Sequence, residues 1–279
     1  MNKILYISDF FHTDVAGGAE LNDHILLEEL SNRGVKISKI RSFQVSLEKI
    51  KEHWNLIIIS NFFNLKSDLI QYISENKDYI IYEHDHKYLR SRNPSSFEDF
   101  KAPGFEIVNE NFYKSAKKVY CQSSFHLEIV KKNINLNNLY NVSGNLWSED
   151  TLKVLEEMLK KNKQNRCSIM NSSVSHKNTA EAIRYCQKKQ IEYDLIESKD
   201  YHEFLSKMSD NQTLIFIPKT PETLSRIVVE ARMMGMRTIT NKNIGAAHEP
   251  WFSMKGKQLI DYMAEKKVEI VDSIMGMIK

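Results

Sequence analysis

Short apolar runs alternate along the chain with stretches whose apolar positions recur every three to four residues, the signatures of strand and helix. Lys3–Ser8 (KILYIS) reads as a strand, and the polar loop Asp9–Gly18 after it ends in Gly17-Gly18. Leu21, Ile25, Leu26 and Leu30 give Ala19–Arg33 helical spacing, Gly34 closes that helix, and Val35–Ile40 reads as the next strand. Leu56–Ser60, Tyr79–Tyr82 and Lys117–Cys121 are further short β-rich runs, the last followed by Ser123-Ser124 and an amphipathic helix, Phe125–Asn133. Such alternation predicts a mostly parallel sheet with helices on both faces.

Residues 133–150 turn Asn-rich and contain Gly144, which marks a boundary. A charged helical stretch, Thr151–Lys163, opens a second α/β set. Its strands are expected at Cys167–Met170, Glu192–Ile196, Leu214–Ile217 and Arg237–Thr240, with helices over Asn178–Lys189 and Tyr201–Asp210 and a final helix over Gln258–Lys279. The 279 residues suffice for two domains of ordinary size. The expected division is 1–145, 146–257 and a C-terminal helix, 258–279, that crosses back to the first domain.

Composition narrows the class. A hydrophobic content of 42% can fill two cores. No apolar run is long enough for a transmembrane helix, and Ser8 and Asp9 break the first run too early for a leader. Cys121, Cys167 and Cys186 are odd in number and widely spaced, which suits a reducing cytoplasm and offers no zinc pattern. A net charge of +3 permits an anionic partner without requiring one.

The chemistry concentrates in residues 214–249, where Glu222 and Glu230 stand with seven residues between them. Thr220 as a cap and Pro221 at the first helical position would put Glu222, Arg226 and Glu230 on one face as a solvated ion ladder. A helix opening near Ser225 would instead leave Glu222 in the loop above the strand and turn the helix-start amides toward a phosphate. Pro218 at the strand end, the two glutamates, Ala231, Gly235 and a Gly-Ala-Ala loop before Glu249 follow in order. In this the chain resembles the retaining GT-B glycosyltransferases of family 4, in a small version like those of phages. The resemblance implies an α/β chain of two Rossmann-like, doubly wound domains facing a cleft, with the acceptor in the first and a nucleotide-sugar donor in the second.

Further stretches match the same pattern. Gly17-Gly18 stands where the family lets a donor approach a helix start. His84-Asp85, at the end of a strand, matches a His-Asp near the donor sugar; His84 and His86 have no third ligand, so no metal is expected. Lys177 stands where a Lys neutralises the donor phosphate, but Ser172 replaces the Arg usual five residues earlier, and Ser225 replaces a Gly. A hydroxyl does not substitute for a bidentate guanidinium, so Arg226 is expected to supply that charge. Lys87, Arg90 and Arg92, with Tyr88 and Phe97 nearby, form a basic loop that reads either as a solvated surface or as a contact for an anionic acceptor.

The resemblance implies transfer of a sugar, from a UDP-sugar above all, to a hydroxyl with retention. Glu230 would bind the ribose, Glu222 and His84 the sugar, and Lys177, Arg226 and Ser225 at the helix start the diphosphate, with no further cofactor. Acceptors consistent with it are hydroxymethylated bases of phage DNA, or a saccharide or lipid of the cell surface. A nucleotide-sugar epimerase and a non-catalytic nucleotide-sugar-binding protein are the alternatives on the same fold.

Overall fold

The computed structural model describes residues 2–15 and 17–278. Ala16, within the expected Asp9–Gly18 loop, Lys279, at the end of the expected last helix Gln258–Lys279, and Met1 lie outside the described residues. Two compact units are present, one of Met1–Ser143 together with Lys267–Lys279, the other Gly144–Lys266.

The first unit runs β1 (Lys3–Ser8), α1 (Gly18–Asn32), β2 (Lys36–Arg41), α2 (Leu47–Lys51), β3 (Leu56–Ile59), α3 (Ser67–Asn76), β4 (Tyr79–Tyr82), α4 (Glu110–Ser115), β5 (Val119–Cys121), α5 (Ser124–Asn133) and β6 (Leu139–Asn141). The six strands pair in parallel in the order β2-β1-β3-β4-β5-β6. All residues of β3 and β4 are buried, as expected where helices cover both faces of a parallel sheet. Since every strand points the same way, the loops after β1, β2, β3 and β4 gather at one edge, where α/β sheets place their chemistry.

The second unit runs α6 (Glu149–Leu159), β7 (Gln164–Met170), α7 (Thr179–Lys189), β8 (Tyr193–Ile196), α8 (Tyr201–Met208), β9 (Asn211–Phe216), α9 (Arg226–Met233) and β10 (Arg237–Thr240). Its parallel sheet has the order β10-β9-β7-β8. Ser148 caps α6, its hydroxyl accepting from the Thr151 N–H, so the helix starts two residues before the expected Thr151. β7 starts before the apolar run, because Gln164 pairs with Asn211 through backbone alone, with a register shift before Cys167.

The last helix, α10 (Gly256–Met275), starts at a glycine with φ of +55°. Its C-terminal part belongs to the first unit. There Lys267 pairs with Glu29 at 2.7 Å, Arg33 with Asp272, and the Tyr120 hydroxyl donates to the Ser273 carbonyl at 3.2 Å.

Candidate functional site

In the second unit the chain leaves β9 at Phe216 and does not enter α9 until Arg226. The stretch between is held as a short strand-like pair: Glu222 N–H donates to the Asn243 carbonyl at 2.8 Å, and Gly245 and Ala246 N–H donate to the carbonyls of Glu222 and Leu224 at 3.0 and 2.9 Å. Glu222 is therefore in the loop and Glu230 in the helix, and the one-faced ion ladder does not form. Lys177 ends a 3-10 turn after β7, and its ammonium lies 2.9 and 3.1 Å from the two Glu222 oxygens. Ser172, at the position of the expected arginine, closes a local turn by accepting from Val174 N–H at 3.2 Å.

Glu230 is 2% exposed. Its Oε1 accepts from the Trp147 indole at 2.9 Å and the Tyr201 hydroxyl at 2.5 Å, and lies 3.3 Å from Arg226 Nε. None of these contacts falls on Oε2. Burial, and then the Glu230 charge, push the Tyr201 hydroxyl well above its ordinary range, so it stays a donor. The Arg226 guanidinium stacks on Trp147 at 4.4 Å and donates to the Leu146 carbonyl at 2.6 Å. Arg226, expected to serve a phosphate, is thus committed to Glu230, Leu146 and Trp147, while Lys177 pairs with Glu222 in the loop before α9. Trp147 and Tyr201, partners of Glu230, and Asn145, whose Oδ1 accepts from Arg226 at 3.3 Å, are missing from the sequence reading, since nothing local marks them as partners of residues far along the chain.

Ser225 precedes α9 with φ of +79°, in the left-handed region that favours glycine, and its buried hydroxyl has no hydrogen-bond partner. Ser225→Gly should therefore raise the melting temperature by several degrees, equivalent to about 1 kcal/mol. A thermal melt of the variant checks this; a lower melting point would mean that the hydroxyl is engaged.

In the first unit Gly17 precedes α1, and a Cβ there would meet the Glu20 carboxylate. Burial raises the Glu20 carboxyl above its ordinary range, opposed by its own N–H and by His84. His84, just past β4, lies with Nε2 2.6 Å from Asp23 Oδ1, and its Nδ1 faces the Gln122 amide. With Gln122 donating to Nδ1, the Nε2 proton is held toward Asp23, which also takes the Ser60 hydroxyl on Oδ2. Asp23 and Gln122 are thus orienting partners that the sequence reading does not contain; the available signal is an acid on the buried face of α1. Asp85 pairs with Arg92 at 3.1 Å.

The basic loop divides. Arg90 and Arg92 are exposed, whereas Lys87 is 3% exposed, its ammonium on Glu83 and 3.2 Å from Asn61 Oδ1. The expectation that Lys87 faces an acceptor is corrected: a charge four residues away pulls it inside. His86, also buried, bonds the Tyr88 hydroxyl through Nδ1 at 2.9 Å while Nε2 has no partner. Burial, and then Lys87, lower His86 to about 3, and burial lowers His126 as well. The native state thus refuses a proton that the unfolded chain accepts near pH 6.5. Stability should be complete above that pH and fall as pH drops toward 3, by up to about 1.4 kcal/mol per unit from His86. Melting temperatures between pH 7 and 4 check this, and His86→Gln should flatten the profile.

Among the described residues no group of three or more His, Cys, Asp or Glu side chains stands together as a metal would require, and no helix is long and apolar enough to cross a membrane.

Two parallel α/β units with this strand order and this loop-to-helix arrangement define a GT-B fold. Sucrose-phosphate synthase from Thermosynechococcus elongatus shares it with a TM-score of 0.63 at 11% identity, over 99% of this chain and 98% of that one. An alpha-glucosyltransferase in complex with UDP-glucose and DNA containing an abasic site gives 0.55 at 11% identity, over 97% and 90%. Anabaena HepE in complex with UDP and glucose gives 0.53 at 12% identity, over 100% and 92%. No protein-family model and no curated protein matches the sequence.

Proposed function

We propose that the chain is a glycosyltransferase that moves a sugar from a nucleotide-diphosphate sugar, UDP-linked, to a hydroxyl acceptor with retention. The observation that carries the reading is Glu230, buried at α9, held on Oε1 by Trp147, Tyr201 and Arg226, with Glu222 in the loop leading into the same helix and paired with Lys177. A carboxylate clamped on one oxygen can offer the other to a ribose diol. The N–H groups at the start of α9 and Lys177 suit the diphosphate. Fold neighbours solved with UDP or UDP-glucose support a uridine donor.

In this reading the bond from the sugar's anomeric carbon to the diphosphate breaks as the bond to the acceptor oxygen forms on the same face. The acceptor's proton passes to the departing phosphate, so no separate base is needed. Lys177 and the helix-start amides meet charge that grows on the leaving group. Glu222 orients sugar hydroxyls once Lys177 turns to the phosphate. Within the first unit, Gly17, Gly18, His84 and Asp85 follow β1 and β4, with the His84 tautomer set by Asp23 and Gln122. Residues 1–145 act as the acceptor domain and 146–257 as the donor domain. The acceptor is anionic, a hydroxymethylated base in DNA; exposed Arg90 and Arg92, and the DNA bound by one fold neighbour, support this.

The test is thermal stabilisation by a series of nucleoside diphosphates. UDP at a hundred times its dissociation constant should add about 2.7 kcal/mol, and Lys177→Ala should cut its affinity about tenfold through one lost charge-assisted contact. No shift with any nucleotide would end the reading.

A further inference from the structure

Three neighbouring strands of the first unit each hand over to a loop with an exposed phenylalanine: Phe43 after β2, Phe10 after β1 and Phe63 after β3, at 55, 47 and 64% exposure. One buried carboxylate ties the three loops together. Asp9 accepts from the Ser42 hydroxyl, from Phe63 N–H at 2.9 Å and from Asn64 N–H at 3.1 Å. The rings therefore project from a fixed frame, in the strand order of the sheet. The Arg92 guanidinium already stacks on Phe63, 4.9 Å from its centroid. Beyond it, Arg90 N–H donates to the Glu106 carbonyl at 2.9 Å, next to Phe105, which is 74% exposed.

The charges around this row choose its partner. Arg41 holds Asp14 and Arg92 holds Asp85, so those pairs cancel. Lys39, 5.8 Å from the Phe11 ring, and Arg90 have no ion-pair partner among the described residues and leave a cationic surplus. An anionic ligand with flat, repeating apolar faces fits both features.

We propose that Phe43, Phe10 and Phe63, with Arg92 and Arg90, form a stacking platform for the unpaired bases of a single-stranded nucleic acid. Base-on-aromatic stacking tolerates any sequence, because every base has a π face. A lipid surface is the less suited partner, since it gains from mobile apolar tips fringed by lysines rather than from rings on a backbone fixed by buried hydrogen bonds, with a planar guanidinium already on one of them. As the naming of an acceptor class, the proposal rests on the transferase reading; as a binding surface, it is measured without a donor.

The experiment is fluorescence anisotropy of the full chain with a short labelled DNA single strand, the same sequence as a duplex, and phosphatidylglycerol vesicles by flotation. The single strand should bind more tightly than the duplex, and Phe63→Ala and Phe10→Ala should each weaken it by about tenfold, with Phe63→Tyr retaining most of the affinity. Two surplus cations predict a shallow salt dependence, a log–log slope of about −1.4. The UDP melting shift should be unchanged in these variants, which shows them folded. Equal binding of duplex and strand, alanine variants that bind like wild type, or capture by vesicles without strand binding would each overturn the platform. Strand binding that follows these expectations in a chain with no UDP shift would sustain the platform and remove only the transferase reading.

Discussion

Glu230→Ala is expected to lower the melting temperature by roughly 10–20 °C and to abolish stabilisation by UDP. The carboxylate is the acceptor for the Trp147 indole and the Tyr201 hydroxyl and the counter-charge of Arg226, all inside the second unit. Its removal strands a buried guanidinium, which costs about 3–5 kcal/mol, and in a unit of this size each kcal/mol is worth about 4 °C. Glu230→Gln keeps an acceptor for both donors and should lie between wild type and alanine. The pair Glu230→Gln with Arg226→Met removes both charges, so it should regain stability while UDP binding stays lost. That split separates a ligand role from a folding role, and melting curves with and without UDP on all three variants measure it. If Glu230→Ala melted within a few degrees of wild type, the buried cluster would not be centred on this residue.

The alternation of strand and helix was legible because its signals are local, whereas the GT-B arrangement was legible only through the resemblance. β1, β3 and β4 are apolar runs bounded by turn residues, and the helix over residues 18–32 carries its apolar residues at helical spacing. The start of α9 was legible only through resemblance, since periodicity alone allowed a helix from Thr220. The partners of the site residues were not legible. Trp147 lies 83 residues from Glu230, and Asp23 lies 61 from His84. Hydrogen-bond partners over such spans are chosen by how strands and helices pack, and no period records that choice. Residues 83–109 escaped for another reason: short 3-10 turns and the isolated bridge of Leu89 to Ile107 have no repeating pattern. One local signal was available and pointed the other way. Glu83 and Lys87 stand four apart, a pairing distance, yet Lys87 read as part of a basic loop.

Lys87→Met should therefore behave as a core substitution, with a melting temperature roughly 10 °C or more below wild type, while Arg90→Ala and Arg92→Ala should stay within about 2 °C. Glu83 is fully buried, and besides Lys87 it has the Tyr113 hydroxyl and the Asp85 N–H as partners. Those two donors cannot replace an ammonium against the cost of a buried charge. Burial, and then Glu83, hold the Tyr113 hydroxyl far above its ordinary range, so it serves as a donor but never as a counter-charge. Methionine fills the volume of the lysine stem, packed near Phe62, so the loss reports charge rather than a cavity. Adding Glu83→Gln should restore most of the stability, because a neutral amide beside methionine leaves no charge unpaired. Urea unfolding of the two single variants and the double variant gives the coupling between the residues. A Lys87→Met protein that unfolds like wild type yet loses transfer to its acceptor would return this lysine to the acceptor surface, and the buried ion pair would then be no support of the fold.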